Sequence, residues 1–356
     1  MGPMKAKRKR WGWRRAISLG TLGAVLMIPG PSRLQADTLD ADPAALEDEE
    51  LDPDEPTIEE SLMMVDDAEI KSVFQEGLAK LLEDSKTGDP KDLRLQLETK
   101  SRCQVELPPP SVSFPIQPED VYRASREGVL CLGCIYKCDK CEHWHPHLAG
   151  GVLLTEDGVA VTNYHVMARE DAAAYGALSD DGQVFPITKV LAASKEDDLA
   201  IVQLDVEAAV KPKKLIGARG PVNPDTAGGA VELDDELTPA ILSVDDQVGS
   251  PVWAITHPTG RFYTLTTGVI SRYYRRAAKN GGVGPLRVAI TADYARGSSG
   301  CGIFNSFGKL TALASSTKSV HYSQEDGEGR NLQMVFKECI PARRIMALIE
   351  KPTGDE

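Results

Sequence analysis

The chain has 356 residues, 26% charged and 42% hydrophobic, with 31 Gly and 23 Pro. That composition excludes a disordered chain, a collagen and a polytopic membrane protein, and the length suits one large or two ordinary domains. The formal net charge of −13 is unevenly spread: residues 1–36 hold eight Lys/Arg and no acids, residues 37–70 fifteen Asp/Glu and no Lys/Arg. An acidic lead before a mildly acidic body argues against nucleic acid as a partner.

In chain order, residues 5–15 form a basic region and 16–28 an apolar stretch, broken by Pro29-Gly30-Pro31. A bilayer span needs about 20 apolar residues. The shorter stretch predicts an export signal over 1–36, cut after Ala36, with an uncleaved anchor as the alternative. Arg14-Arg15 leaves the export route open. No later segment is apolar enough to span a membrane, so the expected mature chain is soluble and periplasmic or extracellular. Residues 37–56 read as disordered. Thr57-x-x-Glu60 is a capping box, and Ile70, Val73, Phe74, Leu78, Leu81 and Leu82 keep helical spacing, predicting a helix or two in 58–85. Pro108-Pro109-Pro110 reads as a stiff linker closing a segment over 37–117. That segment shares no β pattern with the rest, so its removal is expected to leave a folded body; the alternative is a helix packed on that body.

From about residue 118 short β-rich runs recur between turn signals: 128–136, 150–154, 159–162, 184–192, 199–205, 251–256, 263–275, 286–292, 302–304, 310–316 and 332–337. Asp157-Gly158, Asn280-Gly281 and Phe307-Gly308-Lys309 are hairpin turns. Residues 217–245 read as an insertion loop, and Pro341 opens a final helix carrying Ile345, Met346, Leu348 and Ile349. The pattern predicts an all-β body over 118–350, an antiparallel double barrel or sandwich, with a short tail over 351–356.

Three segments carry chemistry. The strand Gly158-Val-Ala-Val-Thr162 runs through Asn163-Tyr164 into His165. Asp197-Asp198 precedes a second buried strand. Ser299 stands in the glycine-flanked turn Arg296-Gly297-Ser298-Ser299-Gly300-Cys301. A serine hydroxyl needs a base to become a nucleophile, and a neutral imidazole suits that task. The imidazole in turn needs a carboxylate to fix its tautomer. Glycines around the serine let the N–H groups of Gly297 and Ser299 point at a developing oxyanion. The order His…Asp…Ser is one of the known arrangements of this triad.

With these residues in place, the stretch 118–350 resembles the trypsin-like serine peptidase domain of bacterial high-temperature-requirement proteases. The matching stretches are Thr162-Asn163-Tyr164-His165-Val166, Asp198-Leu199-Ala200, His257-Pro258-x-Gly260 with Thr267-Gly268-Val269-Ile270-Ser271, and Gly297-Ser298-Ser299-Gly300. The resemblance implies two packed antiparallel six-stranded β-barrels with the site between them. It implies His165 as general base, Asp198 as orienting carboxylate and Ser299 as nucleophile, with Asp197 an adjacent rival for the acid. It departs in having no expected PDZ-like segment, and in Cys301, which replaces a glycine and would narrow the pocket. Asp293 lies six residues ahead of Ser299, where trypsin-like enzymes carry the acid that binds a substrate Arg or Lys. Its other reading is a strand-ending aspartate bonded to backbone.

Of the seven cysteines, Cys131, Cys134, Cys138 and Cys141 fall close together and His143, His145 and His147 follow. Disulfides suit an exported chain; the other reading is a zinc site from Cys138, Cys141 and two histidines. No metal ligand is assigned, and no cofactor is expected. The sequence therefore points to an exported serine endopeptidase acting on proteins or peptides through an acyl-enzyme. The alternative is an idle peptidase fold that binds proteins.

Overall fold

The computed structural model describes residues 64–109, 114–211, 237–277, 282–325 and 328–350. The export signal, the 37–56 stretch, Thr57-x-x-Glu60, most of the 217–245 loop, Asn280-Gly281 and the 351–356 tail lie outside the described residues.

Two helices lead. Helix α1 (Asp67–Glu83) starts where the Asp66 carboxylate accepts from the N–H groups of Ala68 (2.9 Å) and Glu69 (3.0 Å), satisfying two otherwise unpaired donors. Its residues 70, 74, 77, 78 and 81 form one buried stripe. Helix α2 (Pro90–Thr99) is capped by Asp89, carries Pro90 in its first turn and buries Leu93 and Leu97. The sequence spacing does not signal α2, because its mean hydropathy is low and only those two residues face inward. Strand β1 (Cys103–Gln104) and a third helix, α3 (Pro118–Arg126), also not signalled by the sequence, complete the lead.

The predicted β runs then form. They are β2 (Val129–Lys137), β3 (Trp144–Leu153), β4 (Val159–Thr162), β5 (Ala174–Leu178), β6 (Val184–Ser194) and β7 (Leu199–Leu204). A four-residue helix, α4 (Tyr164–Met167), follows β4. These strands close into an antiparallel barrel in the order β2-β3-β4-β7-β6-β5. The second set is β8 (Pro251–Thr256), β9 (Thr264–Ala277), β10 (Val283–Ile290), β11 (Gly302–Asn305), β12 (Leu310–Glu325) and β13 (Glu328–Pro341). It closes in the order β10-β13-β12-β11-β8-β9. Strand β5 escapes the sequence reading because Ala-Tyr-Gly-Ala-Leu is too small and mixed to show a period, though all five residues are buried. The double barrel is as expected; the terminal helix is shorter. Helix α5 (Ala342–Met346) follows Pro341, which sits at its N-cap position without a capping side-chain bond, and the described residues end in β14 (Ile349–Glu350), paired parallel with β1.

The lead does not stand apart from this body. Ile70, Phe74, Leu78 and Leu81 are each at most 1% exposed and join the core with Val184, Leu178 and Val129. A Cβ on Gly77 would lie 2.7 Å from Val184 Cγ2, so a glycine lets α1 sit directly on β6. At its other end Asp67 Oδ1 accepts from the Phe262 N–H (2.8 Å), tying α1 to the second barrel. The packed-helix alternative is the one observed. Phe74→Ala should therefore lower stability by roughly 3–5 kcal/mol in denaturant unfolding. Truncation through residue 100 should abolish a cooperative thermal transition; a sharp transition at the parental temperature would contradict this packing.

Candidate active site

Strand β4 delivers His165 to the rim of the first barrel. The Thr162 hydroxyl donates to the Gly150 carbonyl (2.7 Å), and Asn163 Nδ2 donates to the Asp198 carbonyl (3.0 Å). The first holds the β4–α4 corner on β3 and the second holds it against the β6–β7 turn. In that turn Asp198 adopts a left-handed φ of 59°, a conformation aspartate tolerates. The turn sends adjacent carboxylates to different partners. Asp197 is buried against Arg344, with contacts of 3.0 and 2.6 Å, and lies 3.8 Å from Arg287 Nη1. Asp198 instead faces His165 Nδ1 at 2.9 and 3.0 Å, and its Oδ1 also accepts from the His165 backbone N–H at 3.1 Å. His165 Nε2 lies 3.0 Å from Ser299 Oγ, which comes from the loop before β11 in the second barrel.

One further side chain joins this line. Ser315 Oγ donates to Asp198 Oδ2 (3.1 Å), and the Ser315 carbonyl lies 3.5 Å from Ser299 Oγ. The sequence gives no signal for it beyond a serine in a strand, and only the docking of β12 on the first barrel brings it there.

The glycines flanking Ser299, Gly297 and Gly300, have conformations that no other residue adopts cheaply. Gly297 has φ 98°, and a Cβ on it would lie 2.7 Å from the His257 carbonyl. The Arg296 carbonyl accepts from the Thr259 N–H at 2.6 Å, so the N–H of the following trans peptide, that of Gly297, points away from Thr259. Among the described residues neither the Gly297 nor the Ser299 N–H donates to a backbone carbonyl. Thr259 holds this bond from a left-handed φ of 55°, unusual for a β-branched residue.

Asp293 and Cys301 differ from expectation. Asp293 is 82% exposed, with its carboxylate 3.2 Å from Lys337 Nζ, rather than buried at a pocket base. The next residue, Tyr294, takes the inward position and donates to the Ser316 (3.0 Å) and Glu338 (2.7 Å) carbonyls. Cys301 is fully buried against Gly150, where an added Cβ would lie 2.2 Å from its sulfur; it fills the junction of the barrels and does not narrow a pocket.

No disulfide joins the cysteines, all of which are described. Cys131 and Cys134 are buried in separate clusters on β2, and burial pushes both thiols up to about 12. Such thiols stay protonated and inert. His147 stands opposite Cys134, and burial, then the charges of Arg169 and Arg296, lower its pKa.

Residues 149–313 match the trypsin-like peptidase domain family. A probable periplasmic serine endoprotease, DegP-like, of Brucella suis is 30% identical over 174 residues, covering 48% of this chain and 28% of the relative. Protease Do-like 1, chloroplastic, of Arabidopsis thaliana is 29% identical over 165 residues, 46% of this chain and 31% of the relative. The chain thus matches under a third of the length of these relatives. Two closed six-stranded barrels with this match define a trypsin-like peptidase fold. More narrowly, residues 149–313 match the trypsin-like peptidase domain, and the DegP-like relatives, at modest identity, support the high-temperature-requirement type for that stretch.

Behind the Ser299 loop sits His257, a buried ring with both nitrogens engaged. Nδ1 accepts from the Tyr263 N–H (3.1 Å); Nε2 lies 3.3 Å from the Leu130 carbonyl, to which it donates, and 3.5 Å from Cys131 Sγ. A second proton would cost the Tyr263 bond and place a charge in the core, and burial accordingly pushes its pKa down to about 4. The unfolded chain takes up that proton near pH 6.5. Between these values the unfolded state binds more protons, so this stabilisation is complete above about pH 6.5 and is lost as pH falls towards 4. Urea unfolding should show about 2 kcal/mol less stability from this group at pH 5 than at pH 7. His257→Gln should flatten that slope; an equally steep slope in the variant would contradict the assignment.

Proposed function

We propose that the chain is a serine endopeptidase that hydrolyses proteins or peptides through an acyl-enzyme. The observation that carries this reading is the unbroken line Asp198–His165–Ser299, with contacts of 2.9 and 3.0 Å across two barrels. Asp198 holds the imidazole with Nδ1 protonated, leaving the Nε2 lone pair to take the Ser299 proton. Ser299 Oγ attacks the scissile carbonyl, and the N–H groups of Gly297 and Ser299 receive the oxyanion. His165 returns the proton to the leaving amine, then activates the water that releases the acyl group. Ser315 is a positioning residue, since its hydroxyl donates to Asp198 Oδ2 and steadies the carboxylate that faces His165. Export is part of the proposal. It rests on the basic-then-apolar character of residues 1–36 and on the word periplasmic in the Brucella relative's name. Among the described residues no helix is long and apolar enough to cross a membrane.

Fluorophosphonate labelling tests the reading. The wild-type protein should take label at one site, and Ser299→Ala should take none. Asp198→Asn should slow labelling on the order of 10⁴-fold. Asp197→Asn should lower the denaturant midpoint while leaving the labelling rate within a few-fold, because its carboxylate serves Arg344 and Arg287. Folded wild-type protein that takes no label would overturn the proposal in favour of an idle, protein-binding fold.

A further inference from the structure

The tip of the β2–β3 hairpin gathers three soft donors that the hydrolytic line does not use. Strands β2 and β3 pair through nine registered positions, ending at Tyr136 opposite His145 and Lys137 opposite Trp144. Side chains alternate along a strand, so Tyr136 and His145 share a face, and Cys138, two residues on, starts the turn on the same side. The turn brings Cys141 back beside it. Cys138 Sγ and Cys141 Sγ stand 3.4 Å apart, and His145 Nε2 lies 3.2 Å from the first and 3.0 Å from the second. These three form a compact donor group within the described residues, and each side chain is half-buried.

We propose that Cys138, Cys141 and His145 bind a divalent metal ion of the zinc class that clamps the hairpin tip. Zinc bonds of about 2.3 Å to sulfur and 2.0–2.1 Å to nitrogen place tetrahedral donors roughly 3.5–3.8 Å apart. The observed separations are a few tenths of an ångström shorter, an adjustment within reach of side-chain rotation. The imidazole completes the argument: a disulfide between the two cysteines has no need of a ring nitrogen against both sulfurs. His143 and His147 are not in the group, and Cys131 and Cys134 are buried in the barrel, so the ligand set is smaller than the run of cysteines and histidines suggests. Binding releases one proton from each thiol while the neutral imidazole donates a lone pair, so affinity falls as the solution is acidified. Three protein donors leave a fourth tetrahedral position to water. The proposal is independent of the peptidase reading, because it concerns a donor set that the Ser299 line does not touch.

Cobalt(II) is the probe. The full-length chain, reduced with a phosphine, is titrated with cobalt(II), then with zinc(II). Thiolate-to-cobalt charge-transfer bands should appear and saturate at one equivalent, and zinc should remove them. Cys138→Ser and Cys141→Ser should each weaken cobalt binding by about 100-fold or more, and His145→Ala by at least 10-fold. Cys103→Ser, at a half-buried site away from the tip, should leave the bands unchanged. Circular dichroism and the thermal transition of each metal-free variant check that the barrels remain folded. Saturation without charge-transfer bands, bands indifferent to Cys138→Ser in a folded variant, or freshly isolated chain found solely as a metal-free Cys138–Cys141 disulfide would each overturn the proposal.

Discussion

Where Gly150 lies against residues 299–301 the two barrels meet backbone to backbone, with the Cys301 side chain filling the junction. The Gly150 N–H donates to the Ser299 carbonyl at 2.7 Å, and a Cβ on Gly300 would lie only 2.2 Å from the Gly150 carbonyl. Because Gly150 belongs to β3 and Ser299 to the second barrel, this contact sets how far Ser299 Oγ lies from His165 Nε2. A misplacement of even about 1 Å there would cost reactivity steeply. The same constraint explains the small residues: Gly150, Gly297 and Gly300 each occupy space or dihedral angles that a side chain would violate.

A second tier of interactions holds that junction in register. Asp197, from the first barrel, is bonded to Arg344 on α5 and lies close to Arg287 on β10 of the second. Asp67 on α1 reaches the Phe262 N–H beyond β8. Ser315 on β12 reaches Asp198 in the first barrel. Each is polar and crosses between elements distant in sequence, so each specifies relative position more than it adds net stability. Left-handed φ values at Asp198, Thr259 and Tyr263 cluster round the same junction, a pattern in which strain is kept because surrounding bonds over-determine it.

The sequence discloses these features unevenly, and for physical reasons. The His165, Asp198 and Ser299 segments are legible because a buried strand, a turn and a functional residue follow one another in short spans. Short β-rich runs between turn signals likewise reveal eleven strands, but β5 is missed because Ala-Tyr-Gly-Ala-Leu is too small and mixed to stand out. Helices α2 and α3 are masked by charge, each burying two or three residues of its turns. Ser315 has no local signature, since its partner is 117 residues away in sequence. Asp293 shows the opposite failure: the spacing from Ser299 is right, yet the strand exit turns Tyr294 inward and leaves the carboxylate to Lys337. The run of cysteines misleads similarly, because the strand period splits Cys131 and Cys134 into different cores and leaves Cys138 and Cys141 at the tip.

Strand β3 joins the proposed metal-binding tip to the junction of the barrels. It begins beside the cysteine knuckle at Trp144 and His145 and passes His147, whose pKa burial and then the charges of Arg169 and Arg296 lower. It then reaches Gly150 at the barrel junction. Nine pairs to β2 make it a stiff rod over that length. The Gly150–Ser299 contact is held by the ladder and by the glycines themselves, at the end of β3 far from the proposed clamp. What the clamp can fix is the end of the rod that extends past Lys137 and Trp144, where the ladder stops and the half-buried turn has little apolar surface to order it. The cysteines, and not further hydrophobic residues, occupy the place where the barrel can no longer supply packing.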